Sequence, residues 1–206
     1  MLYSQLKATE LVFLLAGPNV IESEEYIMKL AKHIKTITSV GIPLVFKSSF
    51  VKANRTSSKS FCGLEMVEVL KILEKVKVAY DLPIVIDVHD SIQCEVVGRI
   101  ADIIQITAFL CHQVNILYIK IILDGGGVAS GGLRELIPCI VRTAVAIGVD
   151  GIFMEVHDDL LSAPIDGPTQ WPFRHLEELL EDLVAIARIS KEKKKKFNID
   201  PTPFHE

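Results

Sequence analysis

The chain has 206 residues, half of them hydrophobic, with few aromatics and a formal net charge of −4. That length suits one large domain or two small ones with a sizeable core. The mild acidity gives no basic field for nucleic acid, and no apolar run reaches membrane-spanning length, since Lys120 interrupts residues 116–123. Residues 11–16 imitate a signal-peptide core, but the leader is barely basic and contains Glu10, so a strand is expected there. Cys62, Cys94, Cys111 and Cys139 lie far apart with no metal or redox spacing, which predicts inert thiols in a reducing, cytoplasmic setting.

In chain order, the apolar run 11–15 closes in Ala16-Gly-Pro18 and predicts a first strand followed by a turn. Ser23, Glu24 and Glu25 make a helix start, and Ile27, Leu30, Ala31, Ile34 and Ile37 continue at helical spacing towards a stop at Gly41. Leu44 to Phe46 reads as a buried strand, 64–79 as a second helix, and Ile84-Val-Ile as a third strand ending in Asp87-Val-His89. A short helix over 91–100 leads to a fourth strand over 102–106. Residues 114–123 are apolar without a clear period and run into a glycine-rich loop at 124–132. A helix over 133–147, a strand over 151–157 and a last helix carrying Leu176, Leu179, Leu180, Leu183 and Ala187 complete the pattern. Residues 191–206 read as a solvated, frayed tail. Five strands alternating with helices predict parallel βαβ units in one domain spanning 1–206.

Chemistry gathers where strands end. Lys47, Lys52, Asn54 and Arg55 lie together with hydroxyls at Thr56, Ser57 and Ser58, just after the strand at Leu44. The arginine fork and the lysine point charges suit a multiply charged anion; the plain alternative is a solvated basic loop. Asp87 with His89, Gln105, and Glu155 with His157 end the later strands. In a parallel barrel those ends share one face, where active sites sit. Taken alone, the Asp87–His89 pair is better explained by a carboxylate orienting an imidazole for structure, and Glu155 with His157 is as well explained by a merely polar strand end. The glycine run lacks the Gly-Lys-Ser/Thr ending of a phosphate loop and suits a tight connection better.

These residues resemble one family, 3-deoxy-D-manno-octulosonate 8-phosphate synthase, in its plant branch. The resemblance is carried by Leu14-Leu-Ala-Gly-Pro-Asn-Val-Ile-Glu-Ser23, Phe46-Lys-Ser-Ser-Phe50, Lys52-Ala-Asn-Arg-Thr-Ser-Ser58, Asp87-Val-His89 and Ile104-Gln-Ile-Thr-Ala-Phe-Leu110. It continues through Gly125-Gly-Gly-Val-Ala-Ser-Gly-Gly-Leu-Arg134, Phe153-Met-Glu-Val-His-Asp158 and Asp166-Gly-Pro168. It implies a (βα)8 TIM-barrel enzyme of the α/β class, usually tetrameric, that condenses phosphoenolpyruvate with D-arabinose 5-phosphate and releases phosphate. Lys47 and Lys52 would then hold phosphoenolpyruvate, with Gln105 and Ala108 lining its pocket. Asn54, Arg55, Thr56 and Ser57 would take the pentose phosphate, and Asp87 and His89 would stand near the reacting carbons. Asn19, Glu155 and Asp166 match former metal positions. Asn19 stands where metal-dependent members have a cysteine, and without a soft thiolate the set makes a poor site, so neither metal nor other cofactor is expected. Lys-Ala-Asn-Arg disfavours the related synthase that uses erythrose 4-phosphate.

The departures from the family fall at 113–124, where its members carry roughly 75 further residues, two to three βα units at ~30 residues each. The barrel is therefore expected to be incomplete, lacking strands five to seven and their paired-lysine, Cys-Glu-Arg-Gly and Asp-Val-Thr-His motifs. His112 replaces an arginine, Cys62-Gly-Leu-Glu65 replaces Arg-Gly-Pro-Gly, and Val51 replaces an aspartate. The expectation is a synthase with absent or severely reduced turnover. The alternative is a non-catalytic relative that binds sugar phosphate weakly or assembles with full-length subunits. No nucleic-acid or membrane partner is expected, and a folded chain is expected to form a homo-oligomer.

Overall fold

The computed structural model describes residues 2–39, 41–50, 64–106 and 133–196, with side chains up to residue 191. The expected loop residues Lys52, Asn54, Arg55, Thr56 and Ser57, together with Ala108, lie outside that set. So do the glycine run and the region expected to be interrupted at 113–124.

The strands form where short β-branched runs meet turn residues: β1 (Phe13–Gly17), β2 (Leu44–Ser48), β3 (Ile84–Val88), β4 (Ile103–Ile106) and β5 (Gly151–His157). A two-residue β6 (Trp171–Pro172) joins them. All pairings are parallel and the sheet order is β4-β3-β2-β1-β5-β6. The α/β class and the parallel sheet agree with the expectation from alternating elements. The described residues form this six-stranded sheet rather than five strands, because the second residue of the Trp171–Pro172 segment pairs with His157.

Between the strands lie α2 (Glu24–Thr38), α3 (Met66–Tyr80), α4 (Gln93–Val97) and α5 (Ile137–Ile147); α1 (Leu2–Lys7) precedes β1 and α6 (Leu176–Lys196) follows β6. α2 begins as its sequence requires: Ser23 is extended at φ −158°, its Oγ accepts the Tyr26 N–H, and Glu24 and Glu25 complement the positive helix end. Gly148 ends α5 in the left-handed conformation at φ 93°, which a glycine adopts without steric cost.

Three elements differ from the sequence expectation. β1 is shifted two residues along, to Phe13–Gly17, because it pairs with β5 from Phe13 onward. α1 was not expected, and it buries no residue. α6 continues through Lys196 where a frayed tail was expected from 191; Lys191 is fixed there by an ion pair to Asp150 at 3.0 Å. Among the described residues no helix is long and apolar enough to cross a membrane.

The sheet has two unlike faces. Register pairs Ala16, Phe46 and Ile84 across three strands, with Met154 beside Ala16 on β5, and Leu14, Ile86, Ile104, Ile152 and Val156 follow by period-two alternation. That face meets Ile27, Leu30 and Ile34 of α2, Leu73 and Val76 of α3, and Leu176, Leu180 and Leu183 of α6 in one hydrophobic cluster. The opposite face carries Val45, Lys47, Val85, Asp87, Gln105, Phe153 and Glu155. The fold thus separates packing from chemistry by the pleat alone.

Candidate active site at the strand carboxyl ends

At the end of β2 an ammonium is buried. Lys47 is 1% exposed, and its Nζ donates to Ser49 Oγ and to Glu155 Oε1, each at 3.0 Å. It also lies 5.3 Å from the centre of the Phe153 ring. Burying a charge is costly unless it is paired and hydrogen-bonded, and β5 supplies that pairing because it lies beside β1, one strand away from β2. Gly17 makes the approach possible: a Cβ there would stand 1.9 Å from the Lys47 carbonyl oxygen.

On β3, Asp87 is 2% exposed and its Oδ2 is 3.4 Å from His89 Nε2. The backbone N–H of His89 donates to Gln93 Oε1 at 2.8 Å, which fixes the start of α4 against the strand end. Asp87 Oδ1 is hidden and has no hydrogen-bond partner. Gln105 is the register partner of Asp87 on β4 and is half-buried. After β1, Asn19 is buried; its Nδ2 donates to Asp166 Oδ2 at 3.4 Å, while its Oδ1 is also hidden without a partner. Buried acceptors are normally satisfied, so these two oxygens mark where a donor from a ligand or water would be accommodated.

The structure therefore brings Lys47 to Glu155, Asp87 to His89 and Gln105, and Asn19 to Asp166. It describes neither the second lysine nor the pentose-phosphate residues. Asp166 takes the left-handed conformation at φ 51°, and Arg134 donates to the adjoining Gly167 carbonyl at 2.7 Å. Among the described residues, no three His, Cys, Asp or Glu side chains converge in a way that could hold a metal ion.

Sequence reasoning missed a second cluster behind the site. His157 is buried, with Nε2 at 2.7 Å from Glu22 Oε1 and Nδ1 accepting the Asp159 N–H at 3.0 Å. Its ring packs 5.3 Å from that of Tyr26. Burial first, and the Asp158 carboxylate second, raise the pKa of the Tyr26 hydroxyl well above the ordinary tyrosine range. The only sequence signal was the alternation of Glu155 and His157; their partners are far away along the chain.

The family model for the DAHP synthetase I family matches residues 8–119. The 2-dehydro-3-deoxyphosphooctonate aldolase of Pisum sativum is 55% identical over 286 residues, covering the whole of this chain and 98% of that protein. The 2-dehydro-3-deoxyphosphooctonate aldolase 1 of Arabidopsis thaliana is 54% identical over the same span and shares. A bacterial relative of the same name, from Bordetella pertussis, is 34% identical over 260 residues, covering 87% of this chain and 91% of that protein. The plant alignments run over 286 residues, 80 more than the 206 of this chain. On this similarity, which reaches across the strand ends carrying Lys47, Asp87 and Glu155, the chain belongs to the DAHP synthetase I family and to its plant-type 2-dehydro-3-deoxyphosphooctonate aldolase, or 3-deoxy-D-manno-octulosonate 8-phosphate synthase, group.

Proposed function

We propose that this chain retains part of a synthase site for phosphoenolpyruvate and D-arabinose 5-phosphate, with turnover absent or severely reduced. The observation that carries the reading is the buried Lys47 ammonium at the carboxyl end of β2, on the sheet face it shares with Asp87, Gln105 and Glu155. Two anionic substrates repel one another, and a fixed cation both lowers that barrier and orients them. Glu155 pairs with the ammonium and aims it; an arriving carboxylate or phosphate then shares it.

In the reaction, the enol carbon of phosphoenolpyruvate forms a bond to the aldehyde carbon of the pentose phosphate, whose oxygen takes up a proton. Water adds at the carbon bearing the phosphate, the carbon–oxygen bond breaks, and inorganic phosphate leaves. Lys47, Lys52, Gln105 and Ala108 serve phosphoenolpyruvate. Asn54, Arg55, Thr56 and Ser57 serve the pentose phosphate, and Asp87 with His89 attends the reacting carbons. No metal enters this reading: the Asn19 amide offers no thiolate to complete a site with Glu155 and Asp166.

Reduced turnover follows from what stands between β4 and β5. β5 lies directly beside β1, as the last strand of a closed barrel does, and β4 lies at the far edge of the sheet among the described residues. Together with the 80-residue excess of the plant alignments over this chain, that order supports a loss of βα units after β4. The purified chain, given both substrates, is expected to release phosphate at under ~1% of the rate of a full-length plant relative, as loss of several charge-assisted contacts implies. Turnover near the relative's rate would sink the proposal.

A second reading, assembly without catalysis, is favoured by exposed apolar side chains that flank that region in the chain: Ile106, Leu133 and Leu136. Native mass measurement of the chain, alone and mixed with a full-length relative, distinguishes the two readings: mixed oligomers support assembly, and a monomer under both conditions removes it.

A further inference from the structure

Two contacts join the β1–α2 connection to the end of β5 and the segment after it, and they differ in strength. Asn19 Nδ2 to Asp166 Oδ2, at 3.4 Å, lies at the long limit of a hydrogen bond. His157 Nε2 to Glu22 Oε1, at 2.7 Å and buried on the histidine side, is short and has a carboxylate as acceptor. The weaker contact cannot set the spacing of the two segments against the stronger one.

We infer that His157 is a positioning residue: through Glu22 it holds the β1–α2 connection in place, and so keeps the Asn19 amide against Asp166. The hydrogen-bond network assigns the tautomer. The Asp159 N–H points at Nδ1, so the ring proton sits on Nε2 and is donated to Glu22. One imidazole thus grips both segments, Glu22 three residues beyond Asn19 and Asp159 at the start of the loop that reaches Asp166. The ring also packs on Tyr26, whose N–H is capped by Ser23, so the first turn of α2 moves with Glu22. Asp158 Oδ1, 3.6 Å from Nδ1, also faces the ring, and the Asp159 carboxylate interacts with it electrostatically. The functional weight of this arrangement rests on the proposed synthase reading, in which Asn19 and Asp166 stand at former metal positions beside Glu155; the positioning itself does not need turnover.

The test therefore reads the Asn19 amide in the full chain, not activity. Side-chain 15N labelling of asparagine gives resonances from Asn19, Asn54, Asn115 and Asn198, and Asn19→Asp identifies the first. In His157→Phe, which keeps ring packing but neither polar bond, and in Glu22→Ala, the Asn19 side-chain hydrogens are expected to exchange on the order of tenfold faster. In Glu22→Gln, whose amide oxygen still accepts the Nε2–H, they stay as in the wild type. The Ile86 backbone amide in β3 reports general loosening and is expected not to change. The inference is overturned if the Asn19 exchange is unmoved in both His157→Phe and Glu22→Ala, if Ile86 accelerates equally, or if Glu22→Gln behaves like Glu22→Ala. Should His157→Phe fail to fold, the two Glu22 variants decide alone. Synthase turnover near the rate of a full-length plant relative would overturn the functional reading and leave this result standing.

Discussion

β2 and β4 belong to one sheet, yet every residue of β2 is buried and none of β4 is. β2 lies between β1 and β3, with Phe46 in the helix-covered core and Lys47 tied to Glu155 on the opposite face. β4 pairs with β3 and ends the sheet among the described residues, leaving Ile106 59% exposed. Both sequences are rich in apolar residues, so composition does not explain the contrast. Burial of a strand is a property of what stands beside it and across from it, not of its own composition. The site inherits the same asymmetry: its β2 side is anchored, while its β4 side offers a half-buried Gln105.

The sharpest way to break this comparison is to empty the buried side. Phe46→Ala should cost about 3–5 kcal/mol, the usual range for removing a fully packed ring, measured by denaturant unfolding. A loss under ~1 kcal/mol would mean that β2 is not the packed strand described. Lys47→Met ranks next. It keeps the packing on Phe153 but takes the ammonium from Glu155, and should cost about 2 kcal/mol, below the fully buried range because Glu155 is 18% exposed. Adding Glu155→Gln should recover much of that loss, since a pair removed together leaves no stranded charge. Additive losses in the double variant would show that the two side chains do not act as a pair.

These positions also show how far the sequence could be read. The change from apolar run to polar residue at Lys47, Asp87, Gln105 and Glu155 is local, so strand ends and their chemistry were visible in one dimension. The N-cap at Ser23 was visible for the same reason. The placement of β5 beside β1 was not, because period alone does not say which strands become neighbours. The grip of His157 on Glu22 spans 135 residues, and that of Asn19 on Asp166 spans 147; no spacing rule reaches so far. β6 was missed because a Trp-Pro pair carries no strand signal and pairs only where His157 happens to lie. The exposure of Ile106 could not be read either: an apolar residue at a strand end looks the same whether or not a neighbour covers it.

The smallest expected effect tests that last point most directly. Ile106→Thr keeps a β-branched residue of good strand propensity and changes only the apolar character of the exposed end. If the edge faces water, the cost should be within ~0.5 kcal/mol, as for surface substitutions in general. If another strand, or a second copy of the chain, covers β4 in solution, the loss of the ethyl group and the added hydroxyl would both fall in a buried place, and the cost should exceed about 1 kcal/mol. Because association depends on concentration, repeating the unfolding at tenfold higher protein concentration separates the two covers: only an intermolecular one gains stability with concentration. The unequal burial of β2 and β4 is then either a property of the folded chain itself or a sign of a partner that completes the sheet.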